Sequence, residues 1–205
     1  MATISDKVDP RVVRTRKLII DAFLSLIGKT PFDDITVQDI AAQATVNRAT
    51  FYAHFEDKYA LLDAIIQTGF AQTLARWVAT PTTTPDAYLE RVFLAITEHL
   101  VSVTTQCRRS YQTFETLVEA QVKGQVRDHV LAWLKAQPNT RATAGPRLEV
   151  AATLLSWALY GAALEWKKRG QGQPPEAFGR EALPLIVAMI RAVGDVRPER
   201  ESSGV

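Results

Sequence analysis

A single cysteine, Cys107, stands among 205 residues. One thiol excludes an internal disulfide framework and any cysteine-built metal cluster. Long apolar runs are missing as well: none reaches the roughly 18 uncharged residues that span a bilayer. The nearest, Val150 to Leu164, is shorter and stops at Glu165. The opening stretch MATISDKVDPRVVRTRK holds no apolar signal core, so neither export nor membrane association is expected, and the cytoplasm is the expected compartment. No charge of one sign dominates, since 24 Lys and Arg face 22 Asp and Glu. A net of +2 is too mild for a general polyanion binder. No segment alternates apolar and polar residues with a period of two, so no strand is expected. His54, His99 and His129 share no ligand spacing, and neither a metal nor another cofactor is expected.

What is there is helical periodicity on an ordinary globular composition, 47% hydrophobic and 22% charged. Val12, Val13, Leu18, Ile19, Ala22, Phe23, Leu26 and Ile27 recur at spacings of three and four, and Gly28 supplies a stop. Thr36 begins a short second helix, Val37 to Ala44, with Asp39 placed to partner its exposed amides. Asn47 caps a third short helix. Asp57 caps a fourth, which runs to about Ala79, ahead of Pro81. Five more are expected near 85–105, 108–121, 124–136, 146–168 and 175–194, punctuated by Gly124, Gly145-Pro146 and Gly170 to Pro175. The fold expected is all-α with about nine helices.

Two short helices three or four residues apart form a helix-turn-helix, whose second helix enters the DNA major groove. In the stretch ITVQDIAAQATVNRATFYAHFEDKYALL, the apolar residues Ile35, Val37, Ile40, Ala41, Val46, Phe51 and Phe55 make one small core. That leaves Asn47, Arg48, Ala49, Thr50 and Tyr52 on the opposite face, where Ala49 allows a close backbone approach. Basic residues Arg11, Arg14, Arg16 and Lys17 lie together on the first helix with no acid between them.

This stretch resembles the N-terminal DNA-binding domain of the TetR/AcrR family of bacterial repressors. The matches are Ile35, Thr36, Ile40, Ala41, Ala44, Val46, Thr50, Phe51, Tyr52, His54, Phe55, Lys58, Leu61 and Leu62, all in one frame. Thr45 stands where the family has Gly, and a threonine resists positive φ. The resemblance implies that Thr36 and its helix N-terminus contact a phosphate, and that Gln38 reaches backbone or base. It implies base readout by Arg48, thymine or phosphate contact by Thr50, and phosphate contacts by Tyr52, His54 and Lys58. Asn47 and Ala49 complete the implied surface. The partners implied are a palindromic double-stranded operator, a small-molecule effector and a second copy of the chain.

Domains are accordingly expected at 10–56 (helix-turn-helix, DNA-binding), 57–194 (ligand-binding and dimerisation) and 195–205 (a disordered tail). Aromatic and hydroxyl residues between Phe70 and Trp133 fit a mostly apolar cavity, though aromatics at helical spacing are more often plain core. Trp77, Phe93, Thr97, Tyr111 and Phe114 are taken as its wall. The effector expected is apolar or aromatic, without strong charge. The helix near 146–168 is apolar almost all round in its central turns and needs cover on two sides. Its small-residue stripe Ala151, Leu155, Ala158 and Ala162, with Leu185, Ile186 and Met189 of the last helix, is the expected dimer interface. Cys107 beside Arg108 and Arg109 has the setting of a low-pKa thiol, although a lone cysteine is more often incidental. The rival readings are an all-α enzyme with an apolar active-site cavity and an architectural DNA binder without a ligand. Against the enzyme, no paired carboxylates, Ser/His/Asp set or phosphate loop is found; Glu115 and Glu119 read as a solvated helix face.

Overall fold

The computed structural model describes residues 9–82, 84–138, 145–169 and 172–195, with side chains as far as Ala188. Among these residues are eight α-helices and no strand: α1 Pro10–Ile27, α2 Val37–Gln43, α3 Arg48–Tyr52, α4 Lys58–Val78, α5 Pro85–Gln106, α6 Tyr111–Ala136, α7 Gly145–Lys168 and α8 Pro175–Asp195. A single 3-10 turn, Phe32–Asp34, lies between α1 and α2. Residues 196–205 of the expected tail lie outside the described residues.

One boundary differs from expectation. The segments read as separate helices at 108–121 and 124–136 form the single helix α6. Gly124 does not break it, because an interior glycine costs a helix only about 1 kcal/mol. Val118, Val122, Val126, Val130 and Leu134 form a fully buried column across that glycine, and their burial holds the helix together. The irregularity falls earlier, at Phe114, whose φ of −127° and ψ of 16° are not helical.

The chain divides into two compact units. The first comprises the residues up to Thr68 together with Ser102–Leu117, and the second comprises Gly69–Val101 with the residues from Val118 onward. In the first, α1 packs on α2 and α2 on α3, and Ile19, Phe23 and Ile27 of α1, Ile40 of α2, Phe51 of α3 and Leu61 of α4 are all essentially without exposure. Phe32 is a hub: its ring meets Phe23, Tyr59 and Phe114 edge-on at 6.1, 5.1 and 6.3 Å. Its amide donates to Ser110 Oγ at 2.7 Å.

In the second unit α5 is the central helix. Val92 through Thr97 are all buried, as the run VFLAIT requires. α7 and α8 pack on each other, and α7 is not covered all round. Val150, Leu154 and Trp157 stand 59%, 47% and 58% exposed along one face. Among the described residues, no helix is long and apolar enough to cross a membrane.

Candidate nucleic-acid interface and small-molecule cavity

The helix-turn-helix is built from its caps. Thr36 Oγ1 accepts from the Asp39 amide at 3.2 Å, while Asp39 Oδ2 accepts from the Thr36 amide at 2.9 Å and its hydroxyl at 2.6 Å. This reciprocal capping box starts α2. It also commits the Thr36 amide and hydroxyl proton to Asp39 and holds the Asp39 carboxyl below its usual range. A phosphate contact by those two Thr36 donors, as first expected, would have to displace the cap. At the other end of α2 the Val46 amide bonds the Ala41 carbonyl at 2.9 Å and the Thr45 amide bonds the Ala42 carbonyl at 3.1 Å. That is a Schellman cap, and Thr45 occupies its left-handed position with φ 58°. The chain therefore keeps a glycine-shaped turn with a β-branched residue in it.

Asn47 Oδ1 accepts from the Thr50 amide at 2.7 Å and its hydroxyl at 3.0 Å, starting α3. Phe51 is wholly buried, which turns Asn47, Arg48, Ala49 and Tyr52 outward; Thr50 and His54 are half-buried. Arg48 Nη2 approaches the Tyr52 hydroxyl at 3.4 Å, and its guanidinium lies 5.9 Å from that ring. Gln38 is exposed on α2. Arg16 reaches across from α1: its guanidinium sits 4.2 Å over the Phe55 ring and donates to the His54 carbonyl at 3.3 Å. A cation from the first helix is thus fixed to the turn after α3, the helix that carries exposed Arg48 and Tyr52.

Lys58 is placed differently from the expectation of a phosphate ligand. Its ammonium donates to the carbonyls of Phe32, Asp33 and Ile35 at 2.9, 3.1 and 2.8 Å and lies 4.7 Å over the Phe32 ring. All three protons are used on backbone, so it fastens the 3-10 turn to α4. Three carbonyls converging at one end of a turn make a cation site, and a lysine at the start of α4 is the nearest cation.

The expected cavity wall is not one wall. Tyr111 and Phe114 belong to the first unit, where they pack edge-on to each other and Phe114 meets Phe32. Phe93 is fully buried against Phe178 at 6.2 Å, and the Thr97 hydroxyl donates to its own helix at Leu94. Trp77 Nε1 donates to Glu98 Oε2 at 2.7 Å, while Arg76 binds the other oxygen at 2.8 Å. Burial raises the Glu98 carboxyl, but these two donors outweigh it and hold the group below its usual range.

Open space lies elsewhere in the second unit. A cavity of about 220 Å³ is lined by Val78, Thr80, Pro81, Thr82, Tyr88, Arg91, His129, Trp133 and Gln137. A wider one of about 500 Å³ shares Val78 and His129 and adds Ala71, Leu74 and Ala75 of α4 with Gln125 and Asp128 of α6. Tyr88 stacks on Trp133 at 4.3 Å and on His129 at 5.9 Å. The sequence signal was available: Tyr88 and Arg91 are three apart, and His129 and Trp133 four apart, so each pair shares a helix face.

Of the expected interface residues, Ala151, Leu155 and Ile186 are core, buried to 7%, 1% and 6% exposure. Ala158 and Ala162 are half-buried, Leu185 is 75% exposed, and the Met189 side chain lies outside the described residues. The outward face of α7 is one residue earlier in phase, at Val150, Leu154 and Trp157. Cys107 is buried and its thiol is pushed up to about 11 by that burial, which overturns the idea of a low-pKa thiol. The Arg109 guanidinium is turned to the Lys29 carbonyl instead.

The sequence profile of bacterial regulatory proteins of the tetR family matches residues 19–65. The chain is 39% identical over 69 residues to the HTH-type transcriptional regulator YxbF of Bacillus subtilis (strain 168), a match covering 33% of this chain and 18% of that protein. It is 35% identical over 60 residues to the HTH-type dhaKLM operon transcriptional activator DhaS of Lactococcus lactis subsp. lactis (strain IL1403), covering 29% of this chain and 32% of that one. The matched stretches thus span about a fifth and a third of those relatives. The solved structure of the dihydroxyacetone kinase operon activator DhaS superposes with a TM-score of 0.59 at 18% identity, over 88% of this chain and 98% of that one. That likeness extends the shared fold beyond the helix-turn-helix.

Proposed function

We propose that this chain, whose residues 19–65 match the tetR family of bacterial regulatory proteins, is a dimeric, sequence-specific DNA-binding transcriptional regulator of the cytoplasm. In this reading it is a repressor, released from a palindromic operator by a small, largely apolar or aromatic molecule. The observation that carries it is the sorting of α3: Phe51 is sealed in the core while Arg48, Ala49 and Tyr52 face outward, and Arg16 of α1 is anchored at the turn that follows. An arginine fork reads the two acceptors of guanine, and the neighbouring hydroxyls and amides fix register on phosphates. Gln38, Asn47, Thr50 and His54 border the same face. Lys58 holds the turn behind it and is assigned no direct contact.

The open apolar face of α7, with Leu185 of α8, supports a second copy as its cover. Two heads then engage half-sites about one helical turn apart, which is how two five-residue helices reach useful affinity. The effector acts through its unequal affinity for the DNA-bound and free states, with a usual coupling of about 5–150-fold.

Selection of duplexes from a random pool tests the reading. An enriched two-fold symmetric sequence is expected, with at least tenfold weaker binding by Arg48→Ala, since a bidentate base contact is worth about 1–3 kcal/mol. Recovery of a random pool, or unchanged binding by Arg48→Ala, would sink the assignment.

A further inference from the structure

The cavity bounded by Tyr88, Arg91, His129 and Trp133 brings a guanidinium and an imidazole to one space. The Tyr88 hydroxyl lies 2.7 Å from His129 Nδ1. Burial pushes the phenol above its usual range and the imidazole below its own, so at neutral pH both are uncharged. A neutral phenol can donate to Nδ1 as well as accept from it. When the phenol donates, the ring proton of His129 sits on Nε2 and is available to a ligand as a donor.

The second donor carries a full charge. Arg91 Nη1 donates to the Thr80 carbonyl, and among the described residues that is its only hydrogen bond. Among the described residues, no carboxylate lines this cavity. Asp128 lines the wider one, but Arg127 already binds its Oδ1 through two nitrogens at 2.9 and 2.7 Å. The wider space is otherwise bounded on α4 by Ala71, Leu74, Ala75 and Val78, a nearly unbroken apolar strip. A neutral apolar occupant would strip water from Arg91 and give its charge nothing in return. An anionic head would meet the guanidinium and a neutral N–H at one end of the space, and its body would meet alanine, leucine and valine at the other.

We infer that the effector is an amphipathic carboxylate, with its head between Arg91 and His129 and its apolar body along α4. This inference rests on the ligand-responsive reading above and moves from the expected effector without strong charge to a monoanion, held at Arg91 rather than at Arg108 and Arg109, where the sequence left an anionic ligand as the weaker option.

The test uses the full chain and its selected duplex. Octanoate and phenylpropionate are each titrated against the matching primary amide. Melting temperature, tryptophan fluorescence and release of the duplex are recorded. Both acids are expected to raise Tm, to quench fluorescence in a Trp133-dependent way, and to bind at least about tenfold more tightly than their amides, as a charged hydrogen-bonded contact does. Arg91→Gln should bring the acids down to the amides, and Arg91→Lys should restore part of the difference. Amides that match the acids on the unmodified chain overturn the inference, a comparison that needs no variant to fold. Acids and amides that both leave Tm unchanged overturn it as well. If in addition no member of a broad small-molecule panel releases the duplex, the ligand-responsive reading falls too; release by a neutral compound alone leaves that reading standing without this inference.

Discussion

Phe32 and Tyr88 each centre an aromatic cluster, and the two clusters are built for opposite ends. Around Phe32 three rings close edge-on, Ser110 takes the backbone amide, and the Lys58 ammonium caps the carbonyls behind it. Phe32 itself is left 1% exposed. Around Tyr88 the rings are stacked rather than interlocked, and the stack borders a cavity of about 220 Å³. Similar residue types therefore serve as a sealed joint in one unit and as an incomplete wall in the other. What separates them is whether the polar atoms nearby are consumed.

The sharpest way to break this contrast is truncation. Phe32→Ala should cost about 3–5 kcal/mol in denaturant unfolding, because a filled hub leaves a cavity with no room to collapse. Trp133→Ala, half-buried at the edge of existing space, should cost clearly less. Equal costs would mean that the two clusters are packed alike.

Removing the cation probes the same joint. Lys58→Met leaves three carbonyls without their donor and should cost about 2 kcal/mol, since bonds to a charged group are worth roughly 1.5–3 kcal/mol. Its effect on DNA affinity should follow from stability rather than from a lost phosphate contact. A reduced salt slope in a fully folded Lys58→Met protein would refute that placement.

The second unit holds the group most exposed to acid. His99 is 5% exposed against Phe70, and its Nε2 lacks a hydrogen-bond partner. Burial lowers its pKa to about 4, although the neighbouring Glu98 charge pulls upward. The unfolded chain binds this proton more tightly, near the ordinary imidazole value of 6.5, so stability is intact above that pH and falls as the pH drops toward 4. Between pH 7 and pH 5 the loss from this group should be about 2 kcal/mol, with His129 adding to it in the same direction. Denaturation curves for His99→Leu should lack that slope.

The smallest effect runs the other way. Thr45→Gly removes a β-branched side chain from a left-handed residue and should stabilise by about 0.5–1 kcal/mol, strain relief of about 1 kcal/mol or more being partly cancelled by glycine's greater unfolded-state freedom. A destabilised variant would show that the threonine side chain makes up for its own strain.

Much of the first unit was legible because its signals are local. Thr36 with Asp39 and Asn47 with Thr50 each involve residues three positions apart and took the geometry their chemistry favours, while Thr45 took the left-handed turn geometry against its own preference. Helix content, the order of elements and the outward face of α3 follow from the same short-range rules. The second unit was harder to read. Ala151 and Leu155 read as an outward stripe, and the face left open was Val150, Leu154 and Trp157, a shift of 100° around one helix. On an almost wholly apolar helix, periodicity carries no phase. Only the position of its neighbours chooses the covered side.

The amino-acid sequence by itself determined where the helices other than α6 start and stop, which short helix presents arginine and tyrosine, and the absence of an internal disulfide or a cysteine-built metal cluster. These depend on caps, periods and composition, all properties of a few adjacent residues. Tertiary structure alone decided that Lys58 spends its charge on backbone carbonyls 23, 25 and 26 residues away, that Phe114 and Tyr111 seal the first unit, and that Arg91 and His129 meet in one cavity. Each of those pairs residues far apart in the chain, and no local propensity encodes which distant partner closes on a given side chain.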